Sequence, residues 1–549
     1  MMNSWLVVVP PILVIVLASI TRRMIFSLIL GIISAALIAN DFLLMPSISF
    51  IGTRFWEKTE LSMLASWSVF WADSITPFIC AFLIVLGILI TMIQYSGAAY
   101  AYGNVVMKKI KTARSAESSS LLLSTLFFID DYFGCLMVGA VMQPITDRFR
   151  IPRVKLAMIA CAVAAPFALL VPLSSWVAYI VGQLRSTGVS SLAAGSTIII
   201  AEPLHLYVKI IPFMLYEVLI IASLWYLVLR RVSYGVIDNQ EEIAQQTGNL
   251  FGGKPSVVRN TVQIPAERMQ SAQLIDFILP LAMLFVSVIA WILYTGGWWV
   301  LGGENTLFGA VQKSNTSACL FVGVFFTIVV TGVLFLFNKK LTWAEMPMII
   351  KEGSLMFGRS ITMLLLIWTL SSILSKDLKT GQYLASHMMG YMSVALLPVM
   401  FFIMTATISV LMATAWGTVG MVVPLGLGMI PSFFHVVTPC HLGDVPFILP
   451  VLGAIISGAI LGNHVSPIAD IMLMSATSAG AYHMDLVKSQ MSFAIPTFIS
   501  SAVGFMAVGL LMEHYGIWVS AVAALAIGFI CNVFILQSLA FWWKRSKRV

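Results

Sequence analysis

Residues 121–141 read LLLSTLFFIDDYFGCLMVGAV, an apolar run with two adjacent acids, Asp130 and Asp131, at its middle. Basic clusters flank the run at Lys108 to Arg114 and at Arg148 to Lys155, and short basic loops stay on the cytoplasmic side of a membrane. About 30 residues lie between them, too few for two full crossings of ~20 residues each. The segment therefore reads as a re-entrant hairpin that dips into the bilayer and returns, with the acids at its tip. An ionised carboxylate at that depth persists only against water, a cation or another polar group. Two neighbouring carboxylates cannot both ionise cheaply there, so a proton or a cation shares the pair. The competing reading places the pair at a wet loop edge, capping a helix that begins at Tyr132.

The rest of the chain supports a membrane setting. Of 549 residues, 60% are hydrophobic and 10% charged, where soluble domains carry about 25% charge. Apolar stretches at 6–20, 24–44, 75–95, 156–183, 208–229, 274–294, 319–337, 361–374, 392–412, 419–434, 493–512 and 517–542 have spanning length or close to it. The formal excess of +8 sits in small clusters beside apolar runs (Arg22-Arg23, Arg230-Arg231, Lys339-Lys340), which marks cytoplasmic loops and not a nucleic-acid surface. The first segment lacks a charged leader and an Ala-x-Ala site, so it reads as a retained helix. Six cysteines without CxxC or Cys/His spacing indicate neither a disulfide framework nor zinc.

These features predict an all-α polytopic membrane protein with about 11–13 transmembrane helices. Two inverted repeats with re-entrant hairpins and broken helices are expected, at 1–232 and 274–549, joined by a cytoplasmic linker over 233–273 that includes Glu241-Glu242 and Arg259. A second hairpin, from the opposite face, is expected at 447–478, which is rich in Gly and carries Pro467. The step from Asp131 to Lys155 equals that from His464 to Lys488, a weak sign of the repeat. One inconsistency remains: the basic tail from Lys544 to Arg548 falls on the wrong side when the crossings are counted.

Three polar concentrations interrupt the apolar runs. The first is Asp130-Asp131. In the second, Leu461 to Asp470, Gly and Pro break a helix at membrane depth, which is tolerated where freed carbonyls line a cavity or bind an ion. Asn463, Ser466 and Asp470 offer hard oxygen ligands there, while His464 is either a proton shuttle or a hydrogen-bonding partner. The third is Ala413 to Thr418, where Thr414, Trp416, Gly417 and Thr418 resemble an unwound turn. Trp416 also fits an interfacial anchor. Ser174, Ser175 and Trp176 are its candidate counterpart in the first half. Glu202, Glu217 and Asp276 lie near span ends, where capping and snorkelling are the default roles.

At these motifs the sequence resembles the NhaC-type Na+/H+ antiporter family of the ion transporter superfamily. Phe127 to Tyr132, followed by Gly139, Pro144 and Asp147-Arg148, looks like the family's Asp-Asp-Tyr block; Ala164-Ala165-Pro166, Trp416-Gly417-Thr418 and Ser466 to Asp470 follow in family order. The resemblance implies an inverted-repeat carrier with a central cation site. Two departures stand out, Cys161 and Asn463, where the family usually has acids.

The expected function is Na+/H+ antiport by alternating access, with cation and proton competing for a buried Asp. The alternative is an ion-coupled transporter of a small organic solute, such as an organic acid or amino acid. An intramembrane protease is disfavoured by the lack of His-Glu-x-x-His, and because the only Gly-Asp, Gly443-Asp444, lies beside Pro446 in a loop. Expected partners are Na+ and H+ or a small solute, the bilayer of the inner membrane, and a second copy in a homodimer. No cofactor, nucleic acid or metal beyond Na+ is expected.

Overall fold

The computed structural model describes residues 5–21, 23–66, 70, 71, 74, 76–98, 100–191, 197–256, 268, 272–298, 303, 305, 310, 314–388, 393–467 and 469–547. Of the features named above, Arg22, Arg259 and Arg548 lie outside the described residues, as do Ile75 and Met392 at two span starts and Ile468 in the second polar stretch. Among the described residues ten helices are long and apolar enough to cross a membrane, or up to twelve when two bent pairs are counted. The architecture is that of an all-α polytopic membrane protein.

Five pairs of elements build its centre. Helices α1 (Ala113–Leu126) and α2 (Asp131–Arg148) are followed by α3 (Arg153–Leu170) and α4 (Ser175–Thr187). Next come α5 (Pro203–Ile210) and α6 (Leu215–Arg230), then the linker helix α7 (Gly235–Thr247). In the second half α8 (Leu397–Met412) and α9 (Ala415–Phe433) precede α10 (Ile448–Val465), α11 (Asp470–Ala479) and the long α12 (His483–Leu511). Local chemistry sets the breaks. Asp130, Ser174 and Thr414 each accept a backbone N–H as the N-cap of α2, α4 and α9, which satisfies one donor that a new helix leaves open. Ala413 ends α8 in the left-handed region at φ 54°.

Contacts define two faces. On one, the linker docks on both halves: Lys155 pairs with Glu117 of α1 at 2.8 Å and with Glu241 of α7, Lys254 with Asp485 of α12 at 2.7 Å, and Lys547 with Asp238 of α7 at 2.7 Å. On the other, three two-residue strands, β1 (Val189–Ser190), β2 (Ile199–Ile200) and β3 (Cys440–His441), pair in parallel in that order. Both ends of the α1–α2 hairpin lie at the linker face, as the flanking charges predict. The broken span α3–α4 then runs from Arg153, beside Leu250 of the linker, to Gly188 beside the strands.

The second half repeats this plan upside down, with a change of assignment. Gly509 near the end of α12 abuts the Ala395 carbonyl just before α8, and α9 leads into β3, so α8–α9 is the hairpin and enters from the strand face. The 447–478 segment is the broken crossing: α10 starts by the strands, and Tyr482 after α11 donates to Pro255 of the linker. Length misled the sequence reading, because Val394–Met412, which contains α8, and α9 are each long enough to cross. Exchanging the two assignments changes the crossing count by one and returns the tail to the linker face, where Lys547 is found. The spacing match between Lys155 and Lys488 has no structural counterpart, since Lys155 is buried in an ion cluster and Lys488 is exposed. Two further differences are local. The helix begun at Met24 stops at Ala39 and bends by 120° into Leu44–Thr59, and the span expected at 361–374 extends over Met346–Asp377.

Candidate functional site

The breaks converge. Asp130 is buried; its Oδ1 accepts from the Phe133 amide at 2.9 Å and its Oδ2 accepts from the Ser175 hydroxyl at 2.9 Å. The Ser175 amide in turn donates to the Ile129 carbonyl at 3.0 Å, so the N-terminus of α4 is seated on the hairpin tip. Capping and burial thus coexist at Asp130: the cap anticipated at a wet loop edge is made in the interior. Asp131 is fully buried, and neither carboxylate oxygen has a hydrogen-bond partner among the described residues. The Trp176 indole faces it without reaching hydrogen-bonding geometry. Helix N-termini carry partial positive charge, and those of α2 and α4 meet at these two acids.

The second tip arrives from the opposite face. Thr414 accepts from the Gly417 amide at 3.4 Å. Trp416 is buried, so it is no interfacial anchor; its ring stacks on Tyr179 at 4.7 Å and lies 5.1 Å from Trp176. The Tyr179 hydroxyl donates to the Trp416 carbonyl. In each half, therefore, a tryptophan two residues after a Ser or Thr cap meets the other half's tryptophan. Gly417 is closely packed, and a Cβ there would stand 2.5 Å from Cε at the flexible end of Met24, which would have to move. Thr418 is buried, but its hydroxyl donates to the Thr414 carbonyl at 2.7 Å and is spent within the helix. Ser174 likewise donates to the Ala168 carbonyl at 2.6 Å while capping α4.

From the second polar stretch, His464 and Asn463 are buried at the end of α10, and Ser466 is buried at its C-cap. His464 Nδ1 is 3.0 Å from the Tyr216 hydroxyl, and its Nε2 has no partner among the described residues. Asp470, by contrast, is exposed as the first residue of α11, apart from the buried groups. Cys161 on α3 stands 3.4 Å from the Met472 sulfur of α11, and lies beside Asp131, Ser475 and the His464 ring. The position where this chain carries a thiol instead of an acid thus looks into the space between the first tip and the second broken span. Seating is close: Ser478 of α11 donates to the Cys135 carbonyl at 2.7 Å, and a Cβ on Gly139 would meet the Ser478 oxygen at 2.1 Å. Small residues allow such approach between membrane helices.

Several interior groups escaped the sequence reading. Glu217, assigned a span-end role, is fully buried on α6. Its signal was available, since Pro212 to Leu215 before it and Val218 to Leu229 after it are almost wholly apolar. Tyr179 and Gln183, whose amide donates to Ser371 at 2.9 Å and to the Gly420 carbonyl at 3.0 Å, gave no local signal because α4 buries every side. Glu202 and Asp276 keep the expected capping roles. No group of three or more His, Cys, Asp or Glu able to hold a metal occurs among the described residues.

Paired hairpins and broken crossings around a central polar site define a secondary transporter, not an enzyme. The chain belongs to the Na+/H+ antiporter family, whose sequence model matches residues 167–510. An uncharacterized protein of Haemophilus influenzae is 28% identical over 537 residues, covering 96% of this chain and 95% of that protein. Among solved structures, MtrF of Neisseria gonorrhoeae, described with a class of antimetabolite efflux pumps, aligns at TM-score 0.50 and 13% identity over 82% of this chain and 83% of its own. The YdaH transporter of Alcanivorax borkumensis, described as having an unusual topology, aligns at 0.51 and 12% identity over 83% and 89%. These two likenesses concern the fold.

Proposed function

We propose that the chain is a Na+/H+ antiporter of the inner membrane that works by alternating access, with Na+ and H+ competing for the Asp130–Asp131 tip. The observation that carries this reading is Asp131, a fully buried carboxylate with no donor to either oxygen among the described residues. Such a group is tolerable in hydrocarbon only when a proton or a cation neutralises it. Asp130, held by Ser175 and the α2 backbone, is the fixed partner, and Asp131 is the carrier. Asn463 and Ser466 serve as neutral oxygen ligands. Thr418 and Asp470 take no direct part in this scheme, the first because its hydroxyl is engaged and the second because it is exposed. The linker face is cytoplasmic, with 233–273 joining the repeats 1–232 and 274–549. Rocking of the two tips past the paired tryptophans would open Ser174, Ser175, Trp176, Thr414, Trp416, Gly417 and His464 to one side at a time.

A second reading, proton-coupled movement of a small organic solute, draws on the aromatic group at the tips. Trp176 and Trp416 keep buried indole N–H groups without partners among the described residues, and such donors beside flat rings suit a planar polar molecule. The fold shared with MtrF, described among antimetabolite efflux pumps, fits this reading too. Everted vesicles with an imposed pH gradient separate the two. Dissipation on adding Na+ alone, lost in Asp131→Asn at normal membrane insertion, supports antiport. Dissipation by Na+ that is undiminished in the variant rejects Asp131 as carrier, and a response only to an added solute favours the second reading.

A further inference from the structure

Buried acids in this chain fall into two kinds. Glu117, Asp276 and Asp485 each face a lysine, at 2.8, 2.9 and 2.7 Å, and need no further neutralisation. Glu217 has no such partner among the described residues. It is the third residue of α6, just past the 48° bend between α5 with its following turn and α6. Along the helix it stands thirteen residues before Arg230, or ~20 Å from the linker face, deep within a ~30 Å slab. Its Oε2 accepts from the Ser457 hydroxyl of α10 at 2.5 Å, and its Oε1 has no partner among the described residues. One neutral hydroxyl cannot hold a charge at that depth.

We propose that Glu217 and Ser457 form a second proton site, separate from the Asp130–Asp131 tip, which takes up and releases one proton in each transport cycle. The proposal rests on ion exchange by this chain. A proton fits better than Na+, because a hard cation gathers several oxygens and only the carboxylate and one hydroxyl are offered. The step is simple: water on one side supplies the proton, an O–H bond forms on Glu217, and the proton leaves to water on the other side. The titratable groups around the site are Tyr207 from α5, Tyr216 on α6 itself and, through Tyr216, His464 of α10 and Cys161 of α3. Tyr207 is engaged, its hydroxyl donating to the Leu169 carbonyl at 2.5 Å. No acid or base from α1, α12 or the helix Ile517–Ser546 faces Glu217 among the described residues. Cys161 lies beside both Asp131 and Tyr216, which puts the two sites within one electrostatic neighbourhood.

The test uses the full chain, purified and reconstituted, as parent, Glu217→Gln, Ser457→Ala and Asp131→Asn. Two readouts are taken: the Na+ gradient that just balances an imposed pH gradient, and the infrared difference spectrum between acidic and alkaline buffer. In Glu217→Gln exchange should continue with one proton fewer per turnover. For one Na+ per turnover and a membrane potential held at zero, the balancing Na+ gradient then falls about tenfold per pH unit. One carboxylic C=O band should also be lost, and in Ser457→Ala that band should shift to higher frequency as its hydrogen bond is removed. An unchanged balance point or an unchanged band in Glu217→Gln overturns the proposal; if that variant exchanges nothing, the band alone decides. Undiminished exchange in Asp131→Asn would instead sink the carrier role of the first tip, and the Glu217 band would still decide for or against the second site.

Discussion

The two hairpin tips share a plan and differ in charge. At the first, a capped helix begins with two buried acids, Asp130 and Asp131; at the second, a capped helix begins with Thr414, Ala415 and Trp416. Both are set by an N-cap, both lie beside a tryptophan of α4 or α9, and each is entered from its own face. Inverted repetition supplies the geometry in duplicate, then, while the chemistry is loaded on one copy. Under the proposed alternating access, a single charged tip gives one site to expose to each side in turn, whereas two acidic tips would repel across a low-dielectric gap.

The largest effects should come from altering that asymmetry. Asp131→Asn is expected to abolish cation-dependent exchange in vesicles while the protein still inserts. Asp130→Asn should also depress exchange, with little loss of stability, because Asn caps a helix as well as Asp does; a thermal-unfolding profile beside the flux assay checks this. Next come the glycines that seat each half. Gly139→Ala would drive a Cβ to 2.7 Å from the Ser478 backbone carbon, and Gly462→Ala to 2.2 Å from the Ser409 Cβ. Each should cost about 1–3 kcal/mol by overpacking, read as a lower unfolding temperature in detergent. Thr414→Ala removes only a cap, worth ~1 kcal/mol, and should leave cation binding at the first tip intact. The smallest effect is expected for Asp470→Asn, within about 0.5 kcal/mol of the parent as for exposed positions, with exchange unchanged; a strong defect there would move the site toward α11.

Much of this was legible in the sequence. The first hairpin followed from the charges flanking Asp130-Asp131, because the positive-inside rule and the span length act over short stretches. Ser174-Ser175-Trp176 and Thr414-Ala415-Trp416 share a local pattern and their tryptophans meet, but the first breaks the crossing α3–α4 and the second turns the hairpin α8–α9, so they are not the counterparts in the repeat that the pattern suggested. What stayed hidden depended on tertiary placement. Hairpin and crossing have the same apolar composition, so α8–α9 and α10–α11 could be told apart only by which face their ends touch. Asp470 is exposed and Glu217 buried, the reverse of what their neighbours suggest: Asp470 lies beside Pro467 in a helix break, and Glu217 lies near a span end. Burial, which separates them, is not a local property.

The central claim is that one carboxylate pair holds either Na+ or a proton. Purified protein in weakly buffered detergent solution, titrated with NaCl against a choline chloride control while a pH dye is followed, tests it directly. Saturable proton release on Na+ addition is predicted for the parent and none for Asp131→Asn. Equal release from both proteins would contradict it.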